Sequence, residues 1–298
     1  MCVSLEEVLT SHPLHHMHAT PVERQITLRD GVRLALRVWS GPNSGRGTVV
    51  IAHGLGEHAG RYEQLAGELI QDGWQVHAAD HRGHGRSSGA RGAVPAAETI
   101  RDDIIEMLHF ARATGVAPIV LLGHSMGGAF AAWAVAHEPG AADALTLSSP
   151  ALQTDLTGLQ RIMMSTMLRL SPNASIANGL DVNYLSHDRA VVDAYIADPL
   201  VHDRVSARLA SAIVTAGETV RAMAARWSTP TLLLYAGGDK IVNPAGAEQF
   251  AAAAPSGVVR TKRFDALYHE IFNEKGRAEP VAVLRAWLRS IAPEVRAG

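Results

Sequence analysis

The sequence of 298 residues lacks several features that would each point to a particular class of protein. Its single cysteine, Cys2, excludes internal disulfides and cysteine-rich zinc sites, which fits a reducing compartment. Its formal net charge of -2 supplies no basic field for phosphates, so nucleic acid is not an implied partner. A run of about 18 consecutive apolar residues, which a transmembrane helix needs, is also missing.

The amino-terminal segment has two early acidic residues and lacks an apolar run of signal-peptide length. We therefore expect a cytoplasmic protein, and leave peripheral contact with a membrane open. Residues 1–20 predict a flexible, solvated leader. Its histidines lie in a stretch without acidic residues or cysteine, so we assign no metal site to them; they are His12, His15, His16 and His18.

Short β-branched runs alternate with helical segments, which is typical of βαβ units around a mostly parallel sheet. The runs predict strands at Arg33–Trp39, Thr48–Ala52, Val76–Ala79, Ile119–Gly123, Ala144–Ser148, Thr231–Ala236 and Val258–Phe264. Apolar residues at helical spacing predict helices at Arg61–Asp72, Ala96–Ala113, Met126–His137 and Pro280–Ile291. The inner strands are apolar on both faces, as strands covered by helices must be. The predicted fold class is therefore α/β, with a mostly parallel central sheet flanked by helices.

The alternation of strands and helices breaks once, between about Ala151 and Trp227. This stretch has no convincing buried strand, but its apolar residues fall three or four apart, as in an amphipathic helix. The residues of this stripe are Leu152, Leu156, Leu159, Met163, Met167 and Leu170. We therefore predict a helical cap at residues 151–228, inserted into a catalytic core formed by residues 21–150 and 229–298.

The segment from Gly123 to Gly127 has the pattern G-x-S-x-G, with Ser125 at its centre. An apolar strand ends directly before Ser125 and a helix rich in small residues begins directly after it, which is the context of a nucleophile elbow. Glycines are needed there because larger side chains would collide with the adjacent strand and helix. An ordinary glycine-rich turn is the alternative, but the partners described next favour a nucleophilic serine.

A serine hydroxyl needs a base within hydrogen-bond reach and a third group that orients the base. His269 is the single histidine after the predicted cap and follows a predicted strand, so we assign it as the base. The acid is expected between the serine and the histidine in chain order. Asp239 follows the preceding strand and two glycines, whereas Asp265 lies close to His269 in the sequence. We therefore prefer Asp239 and keep Asp265 as its rival.

An acyl-transfer enzyme also needs backbone N–H groups that stabilise an oxyanion, each worth about 3 to 4 kcal/mol. We assign the N–H of Met126, next to the nucleophile, as one donor. The other is assigned to Leu55, in the glycine-rich loop after the Thr48–Ala52 strand. A phosphate-binding loop is the alternative for this stretch, but the lysine followed by serine or threonine that it requires is missing.

Six motifs in a fixed order make the resemblance to a known family specific. They are HGLGEHAGRYEQLA (53–66), DHRGHGRS (80–87), GHSMGG (123–128), AYIADPLV (194–201), GGDKIV (237–242) and LYHEIFNE (267–274). Together they resemble the monoacylglycerol lipase and lysophospholipase-like family of α/β hydrolases, within the serine aminopeptidase-type hydrolase superfamily. The match extends from about Val22 to Ile291 and implies the α/β-hydrolase fold with a helical cap.

The resemblance implies an enzyme that releases a fatty acid from a monoacylglycerol, beneath a cap that forms an acyl tunnel. It places the catalytic triad on Ser125, Asp239 and His269. It places the oxyanion donors on Leu55 and Met126. It implies neither a cofactor nor a metal ion.

The resemblance also implies contacts with the glycerol head group. In the family the GEHxGRY run helps to bind glycerol, which indicates Glu57 and Arg61, and Tyr195 lies near the pocket. Taken alone, Glu57 and Arg61 are four residues apart, so an exposed ion pair near a helix start is the alternative. Some members carry a second histidine three residues after the catalytic one, but this chain has Phe272 there.

Two further pairs of residues allow more than one interpretation. Met163 and Met167 could line a flexible acyl tunnel, because methionine adapts to varied apolar shapes. Equally, a helix with this stripe of apolar residues along one face could simply pack on the sheet and cover it. His81 and His84 have a spacing that could suggest a metal site, but we interpret them as turn residues that hydrogen-bond the loop.

We therefore expect a carboxylic ester hydrolase that acts through an acyl-serine intermediate, with monoacylglycerol as the first choice of substrate. A lysophospholipase or a broad-range carboxylesterase with the same machinery is the alternative among enzymes. A ligand receptor built on the same fold is the alternative from another class. The implied partner is a small lipid ester, and transient membrane contact through the cap is left open.

Overall fold

The structure of the protein is a computed structural model that describes residues 20–292. Its strands are β1 (Val22–Thr27), β2 (Arg33–Trp39), β3 (Gly47–Ala52), β4 (Trp74–Ala79), β5 (Ile119–His124), β6 (Ala144–Ser148), β7 (Ser175–Ala177), β8 (Arg204–Ser206), β9 (Thr231–Ala236) and β10 (Val259–Phe264). Eight of them form one sheet in the order β1-β2-β4-β3-β5-β6-β9-β10, while β7 pairs with β8. All neighbours from β4 to β10 in this order are parallel, and β2 is antiparallel to β1 and β4. The prediction of a mostly parallel sheet is confirmed.

The helices of the described residues are α1 (Glu63–Gln71), α2 (Thr99–Thr114), α3 (Ser125–His137), α4 (Gly158–Leu170), α5 (Arg189–Ala197), α6 (Ala207–Met223), α7 (Ala245–Ala253) and α8 (Ala278–Ile291). One face of the sheet packs on α2, α3 and α7, with α6 packed against α3 in the same apolar core, and the other face packs on α1 and α8. Because helices cover both faces, β3, β5 and β9 are buried along their whole length.

All seven predicted strands are present, each with ends within two residues of the prediction. β1 was not predicted because it is an edge strand in which only Ile26 is buried, so it lacks an apolar run. α7 was not predicted because it consists mostly of alanine and shows no apolar stripe. The helix predicted from Arg61 begins at Glu63, since Ala59–Tyr62 form a 3-10 turn.

Residues 151–228 contain α4, α5, α6 and the β7–β8 pair, and within the described chain they add no strand to the eight-stranded sheet. α6 packs against α3 and belongs to the same apolar core. α4 begins after Leu152 and Leu156, because Thr157 and Gln160 form a capping box that starts the helix there. Every residue of α4 keeps part of its surface exposed. The boundaries of a separate cap stay a prediction.

The predicted leader lies almost entirely outside the described residues. This applies to Cys2 and to the histidines, which are His12, His15, His16 and His18. Across residues 20–292, no helix combines the length and the apolar character that crossing a bilayer requires.

Candidate active site

Ser125 lies on the sharp turn between β5 and α3, with a backbone φ of 53°, in the left-handed region that residues with side chains rarely adopt. Two glycines allow this turn. A Cβ on Gly127 would collide with carbonyl oxygens at the end of β3, and a Cβ on Gly123 would lie 2.7 Å from the Cβ of Ala131. The strained turn is therefore held in place by the close approach of β3, β5 and α3.

The imidazole of His269 is hydrogen-bonded to the carboxylate of Asp239, with 2.7 Å between Nδ1 and Oδ2. A carboxylate only accepts hydrogen bonds, so Nδ1 carries the proton and Nε2 is left as the basic nitrogen. Oδ1 of Asp239 accepts hydrogen bonds from the backbone N–H groups of Ile241 and Val242, at 2.8 and 2.9 Å. The rival acid, Asp265, is exposed and accepts a hydrogen bond from Arg263 at 2.6 Å.

Asp239 and His269 each shift the pKa of the other toward its charged form. Burial alone would raise the pKa of Asp239, but the charge of His269 and the hydrogen bonds to the carboxylate hold it below its usual value. Burial alone would lower the pKa of His269, but the Asp239 carboxylate raises it above the usual 6.5, with further contributions from Glu270 and Glu57. His269 is therefore a stronger base than a free imidazole.

The loop that follows β3 lies directly against the nucleophile turn. A Cβ on Gly54 would be 3.3 Å from the Cβ of Ser125. The N–H of Gly54 donates to Oε1 of Glu57 at 2.6 Å, which closes the loop on itself. The N–H groups of Leu55 and Met126 donate to no other residue of the described chain, so both remain free to bind an oxygen atom.

A narrow cavity has both Ser125 and His269 in its wall. Its volume is only about 30 Å³. The other wall residues are Gly54, Leu55, Glu57, His124, Leu180, Val182, Leu185, Tyr195, Ile241 and Glu270. Among the described residues no hydrogen bond joins Oγ of Ser125 to the imidazole, and such bonds are often long before substrate binds.

Glu57 and Arg61 form a buried ion pair. Nη1 of Arg61 donates to Oε2 of Glu57 at 2.7 Å, and only 11% and 5% of the two side chains are exposed. The alternative of an exposed pair near a helix start is therefore wrong. Glu57 lines the cavity and also accepts a hydrogen bond from the Tyr62 hydroxyl at 2.8 Å. Among the residues that the structure describes, Arg61 is not part of the cavity wall.

Glu270, the residue after His269, is the second partner of Arg61. Nη1 and Nη2 of Arg61 donate to Oε1 and Oε2 of Glu270 at 2.6 and 2.7 Å. The guanidinium lies 4.7 Å from the centre of the Tyr195 ring, within the range of a cation–π contact. Burial opposes the charge of Arg61, but the carboxylates of Glu270 and Glu57 raise the pKa of the guanidinium above its usual value. The local sequence does not indicate this role of Glu270, because its partner Arg61 lies 209 residues away.

The loop that carries His269 is also attached to residues 184–187. The N–H of His269 donates to the carbonyl oxygen of Tyr184 at 3.4 Å. Glu274 is buried and accepts hydrogen bonds from the backbone N–H of His187 at 3.1 Å and from its Nδ1 at 2.6 Å. The segment before α5 therefore helps to hold the histidine loop, which the sequence pattern did not indicate.

His84 hydrogen-bonds its own loop, as predicted, whereas His81 bonds to His53 in the loop after β3. The N–H of His81 donates to Nε2 of His53 at 2.8 Å, and Nδ1 of His84 lies 3.1 Å from the carbonyl oxygen of Arg82. Burial lowers the pKa of His53, His81 and His84 well below the usual value, so all three are neutral. Within residues 20–292, no group of three or more His, Cys, Asp or Glu side chains is arranged to hold a metal ion.

His124 lies beside His269 but does not act as a base. Its ring centre is 4.8 Å from that of His269. Burial and the nearby His269 lower the pKa of His124 to about 4, so it is neutral at physiological pH. Its Nδ1 lies 3.1 Å from the carbonyl oxygen of Ser148, which fits a structural hydrogen-bonding role.

The remaining predicted site residues lie on α4 and α5. Tyr195, on α5, is in the cavity wall. Met163 and Met167, on α4, are outside the described wall; Met163 is 54% exposed and Met167 is half-buried. The assignment of these methionines to an acyl tunnel stays a prediction.

Comparison with known proteins relates this chain to one group of hydrolases. The family model Hydrolase_4, described as serine aminopeptidase, S33, matches residues 43–276. A monoacylglycerol lipase of Mycolicibacterium smegmatis is 34% identical over 271 residues, which cover 87% of this chain and 94% of that protein. An uncharacterized abhydrolase domain-containing protein of Dictyostelium discoideum is 35% identical over 266 residues, but they span only 28% of its length. The crystal structure of Paleococcus ferrophilus monoacylglycerol lipase is 32% identical, has a TM-score of 0.80, and covers 87% of this chain and 99% of that one.

Proposed function

The chain belongs to the serine aminopeptidase S33 family of α/β hydrolases, and from this premise we propose that it hydrolyses monoacylglycerol through an acyl-Ser125 intermediate. The observation that carries the proposal is the 2.7 Å hydrogen bond between His269 and Asp239. This pair orients a basic nitrogen in the wall of the cavity that also contains Ser125. The α/β-hydrolase fold class predicted from the sequence is confirmed by the same comparisons.

In the proposed reaction, Nε2 of His269 takes the proton of Ser125 as Oγ bonds to the ester carbonyl carbon. The carbonyl oxygen becomes an oxyanion and accepts hydrogen bonds from the N–H groups of Leu55 and Met126. When the carbonyl re-forms, the alcohol leaves with the proton from the imidazolium, and the acyl group stays on Oγ. Water then attacks the acyl carbon while His269 takes its proton, and the imidazolium returns this proton to Oγ as the bond between Oγ and the acyl carbon breaks and the fatty acid is released. Asp239 stays ionised and stabilises the imidazolium.

We expect kcat/KM for an uncharged ester to fall on acidification, with a midpoint above pH 6.5. The proposed base acts only when it is neutral, and the raised pKa of His269 keeps it protonated at pH values where a free imidazole has already lost its proton. The measurement is the pH dependence of kcat/KM between about pH 5 and 9. A midpoint below 6.5 would show that the Asp239 carboxylate does not set the basicity of His269.

The mixture of apolar and polar residues in the cavity wall supports an amphiphilic ester as substrate. The apolar residues of the wall include Leu180, Val182, Leu185 and Ile241. Its polar residues include Glu57, Glu270 and Tyr195. Aliphatic side chains favour an acyl chain, while a tyrosine hydroxyl can donate to and accept hydrogen bonds from alcohol hydroxyls. This arrangement suits glycerol, and a relative with 34% identity carries the name monoacylglycerol lipase.

The charges in the wall argue against a phosphate-bearing head group. Glu57 and Glu270 are both buried, and the one guanidinium between them, that of Arg61, balances only one of the two carboxylates. A phosphate at about 6 Å from an unbalanced carboxylate is opposed by about 3 kcal/mol at an effective dielectric constant of about 20. We therefore favour monoacylglycerol over a lysophospholipid.

A comparison of head groups tests this choice of substrate. We expect kcat/KM for 1-monoacylglycerol to exceed that for a lysophosphatidylcholine of the same acyl chain by at least about tenfold, which corresponds to about 1.4 kcal/mol. Steady-state release of fatty acid from both lipids at equal detergent concentration is the measurement. Equal rates on both lipids would favour the alternative, a lysophospholipase or a broad-range carboxylesterase.

The chemistry at Ser125 distinguishes an esterase from the alternative, a ligand receptor. A fluorophosphonate should label this residue, and the enzyme should then complete many turnovers on monoacylglycerol. Efficient labelling without turnover on any ester would favour a ligand receptor that uses the same fold. Ser125, His269 and Leu55 line one cavity, and Asp239 is hydrogen-bonded to His269, which argues for turnover.

We further propose that residues 151–228 act as a cap over a core formed by residues 21–150 and 229–298. A volume of about 30 Å³ is far too small for an acyl chain, so substrate binding requires the cavity to widen. Met163 and Met167 on α4 are then placed to contact the chain, because α4 is the least buried helix of this segment. Its exposed apolar side chains, Leu159, Ile162 and Leu170, would allow transient contact with a lipid surface.

A further inference from the structure

Arg61 connects two loops that lie far apart in the sequence. It donates to Oε2 of Glu57 at 2.7 Å and, with both terminal nitrogens, to Glu270 at 2.6 and 2.7 Å. Glu57 accepts the N–H of Gly54 at 2.6 Å, in the loop that supplies one proposed oxyanion donor. Glu270 directly follows His269, the proposed base. The guanidinium therefore joins the loop of the oxyanion donor to the loop of the base.

We propose that Glu270 is a positioning residue that, through Arg61, holds the His269 loop at a fixed distance from the oxyanion loop. This inference rests on the proposed function, because it assigns a task within the same reaction. It gives Arg61 a different task from the glycerol contact that the family resemblance implies. Arg61 acts here on two carboxylates of the protein.

The contacts of Arg61 with the protein show why it is unsuited to bind a substrate. Its Nη1 is shared between Glu57 and Glu270, its Nη2 is bound to Glu270, and the Tyr195 ring lies against the guanidinium at 4.7 Å. Only 11% of its side chain is exposed. A guanidinium that binds a carboxylate with two parallel hydrogen bonds is fixed in direction as well as in distance.

Glu270 is held just as firmly. Both of its oxygens accept from Arg61, and Oε2 also accepts from Nδ2 of Asn273 at 2.9 Å. Only 5% of its side chain is exposed. A displacement of about 1 Å between reacting groups can lower a rate by about a hundredfold, so a rigid connection between the two loops has a direct effect on kcat.

Glu270 also affects the basicity of His269, which provides a second measurement. Its negative charge is among the causes that raise the pKa of His269, together with Asp239 and Glu57. The other groups that face this imidazole are Asp239, Glu57 and the neutral ring of His124, and the substitution of Glu270 alters none of these side chains chemically. Loss of the charge should move the acid limb of the pH profile to lower pH, which a loss of packing alone would not do.

The test is Glu270→Gln, assayed on monoacylglycerol and on p-nitrophenyl butyrate, which has no glycerol. We expect kcat to fall by about 10- to 100-fold on both esters with little change in KM, and the acid limb of kcat/KM to move to lower pH. Glu138→Gln is the matched control, because Glu138 forms an exposed ion pair with His109 at 2.6 Å at the end of α3 away from Ser125. This control should keep the wild-type kcat.

A rise in KM for monoacylglycerol alone, with unchanged kcat on p-nitrophenyl butyrate, would identify a head-group residue and overturn the proposal. Wild-type values for both esters would overturn it as well. If Glu270→Gln fails to fold, Glu270→Asp keeps the charge but shortens the reach, and the same loss of kcat on both esters is expected. If the wild type hydrolyses neither ester, the proposed function is wrong; the rate of fluorophosphonate labelling at Ser125 then decides the inference, with slower labelling expected for the variant.

Discussion

Replacement of Ser125 by alanine is expected to lower kcat on monoacylglycerol by about 10⁵-fold or more, because no other nucleophile is held at the turn between β5 and α3. The proposed base and oxyanion donors remain in this variant, so a small residual rate above that in water is expected. Labelling by a fluorophosphonate should be lost completely. The measurements are the initial rate of fatty acid release and the mass of the protein after exposure to the probe.

Ser149→Ala provides a matched control for this experiment. Ser149 is also a buried serine with a positive φ, of 41°, and it follows β6 of the same sheet. Within residues 20–292 its hydroxyl accepts only a long hydrogen bond from the N–H of Ala236, at 3.4 Å, so its removal should leave kcat close to the wild-type value. Retention of more than about a hundredth of the activity by Ser125→Ala would mean that another residue is the nucleophile.

The nucleophile turn could be predicted because local sequence and local geometry coincide there. Gly123 and Gly127 are required by contacts with groups that lie close in the fold, and this requirement appears directly as a pattern around Ser125. The strands β3, β5 and β9 were predictable for a related reason. Burial on both faces demands continuous apolar residues, and a single sequence displays these runs.

Contacts between distant residues could not be predicted in this way. The spacing of Glu57 and Arg61 indicated a pair within one helical turn, but the second partner of Arg61, Glu270, lies 209 residues away. Which apolar residues a helix buries was equally hidden. The stripe that includes Leu159 correctly predicted a helix, yet Leu159 is 68% exposed, because helical spacing does not show what packs against it.

The choice between Asp239 and Asp265 shows how much of the site the local sequence can predict. Asp239 and Asp265 each follow a strand, and their place in the chain favoured Asp239 without showing where its carboxylate points. In the fold, β9 and β10 are parallel neighbours, so both loops lie at the same edge of the sheet. The hydrogen bond at 2.7 Å joins His269 to Asp239, whereas Asp265 turns outward to Arg263. This difference leads to a second prediction of large effect.

Asp239→Asn is expected to lower kcat at neutral pH by about 10⁴-fold while the fold is retained. The amide oxygen can still accept the two backbone N–H groups that now bind Oδ1, so the loop after β9 should keep its shape. The amide nitrogen, however, donates to Nδ1 of His269, which moves the imidazole proton to Nε2. The nitrogen that should accept the proton of Ser125 is then already protonated. The measurement is kcat on monoacylglycerol, with thermal unfolding to confirm that the protein is folded.

Asp265→Asn makes the same chemical change on the neighbouring loop and is the matched control. Asp265 is 82% exposed and contacts Arg263 rather than the imidazole, so kcat should stay within about twofold of the wild type. The pair of variants therefore separates the charge that orients His269 from a charge that merely lies close to it in the sequence. Should Asp265→Asn lose activity and Asp239→Asn keep it, the base would be oriented by the other acid, and the hydrogen bond between His269 and Asp239 would have no catalytic role.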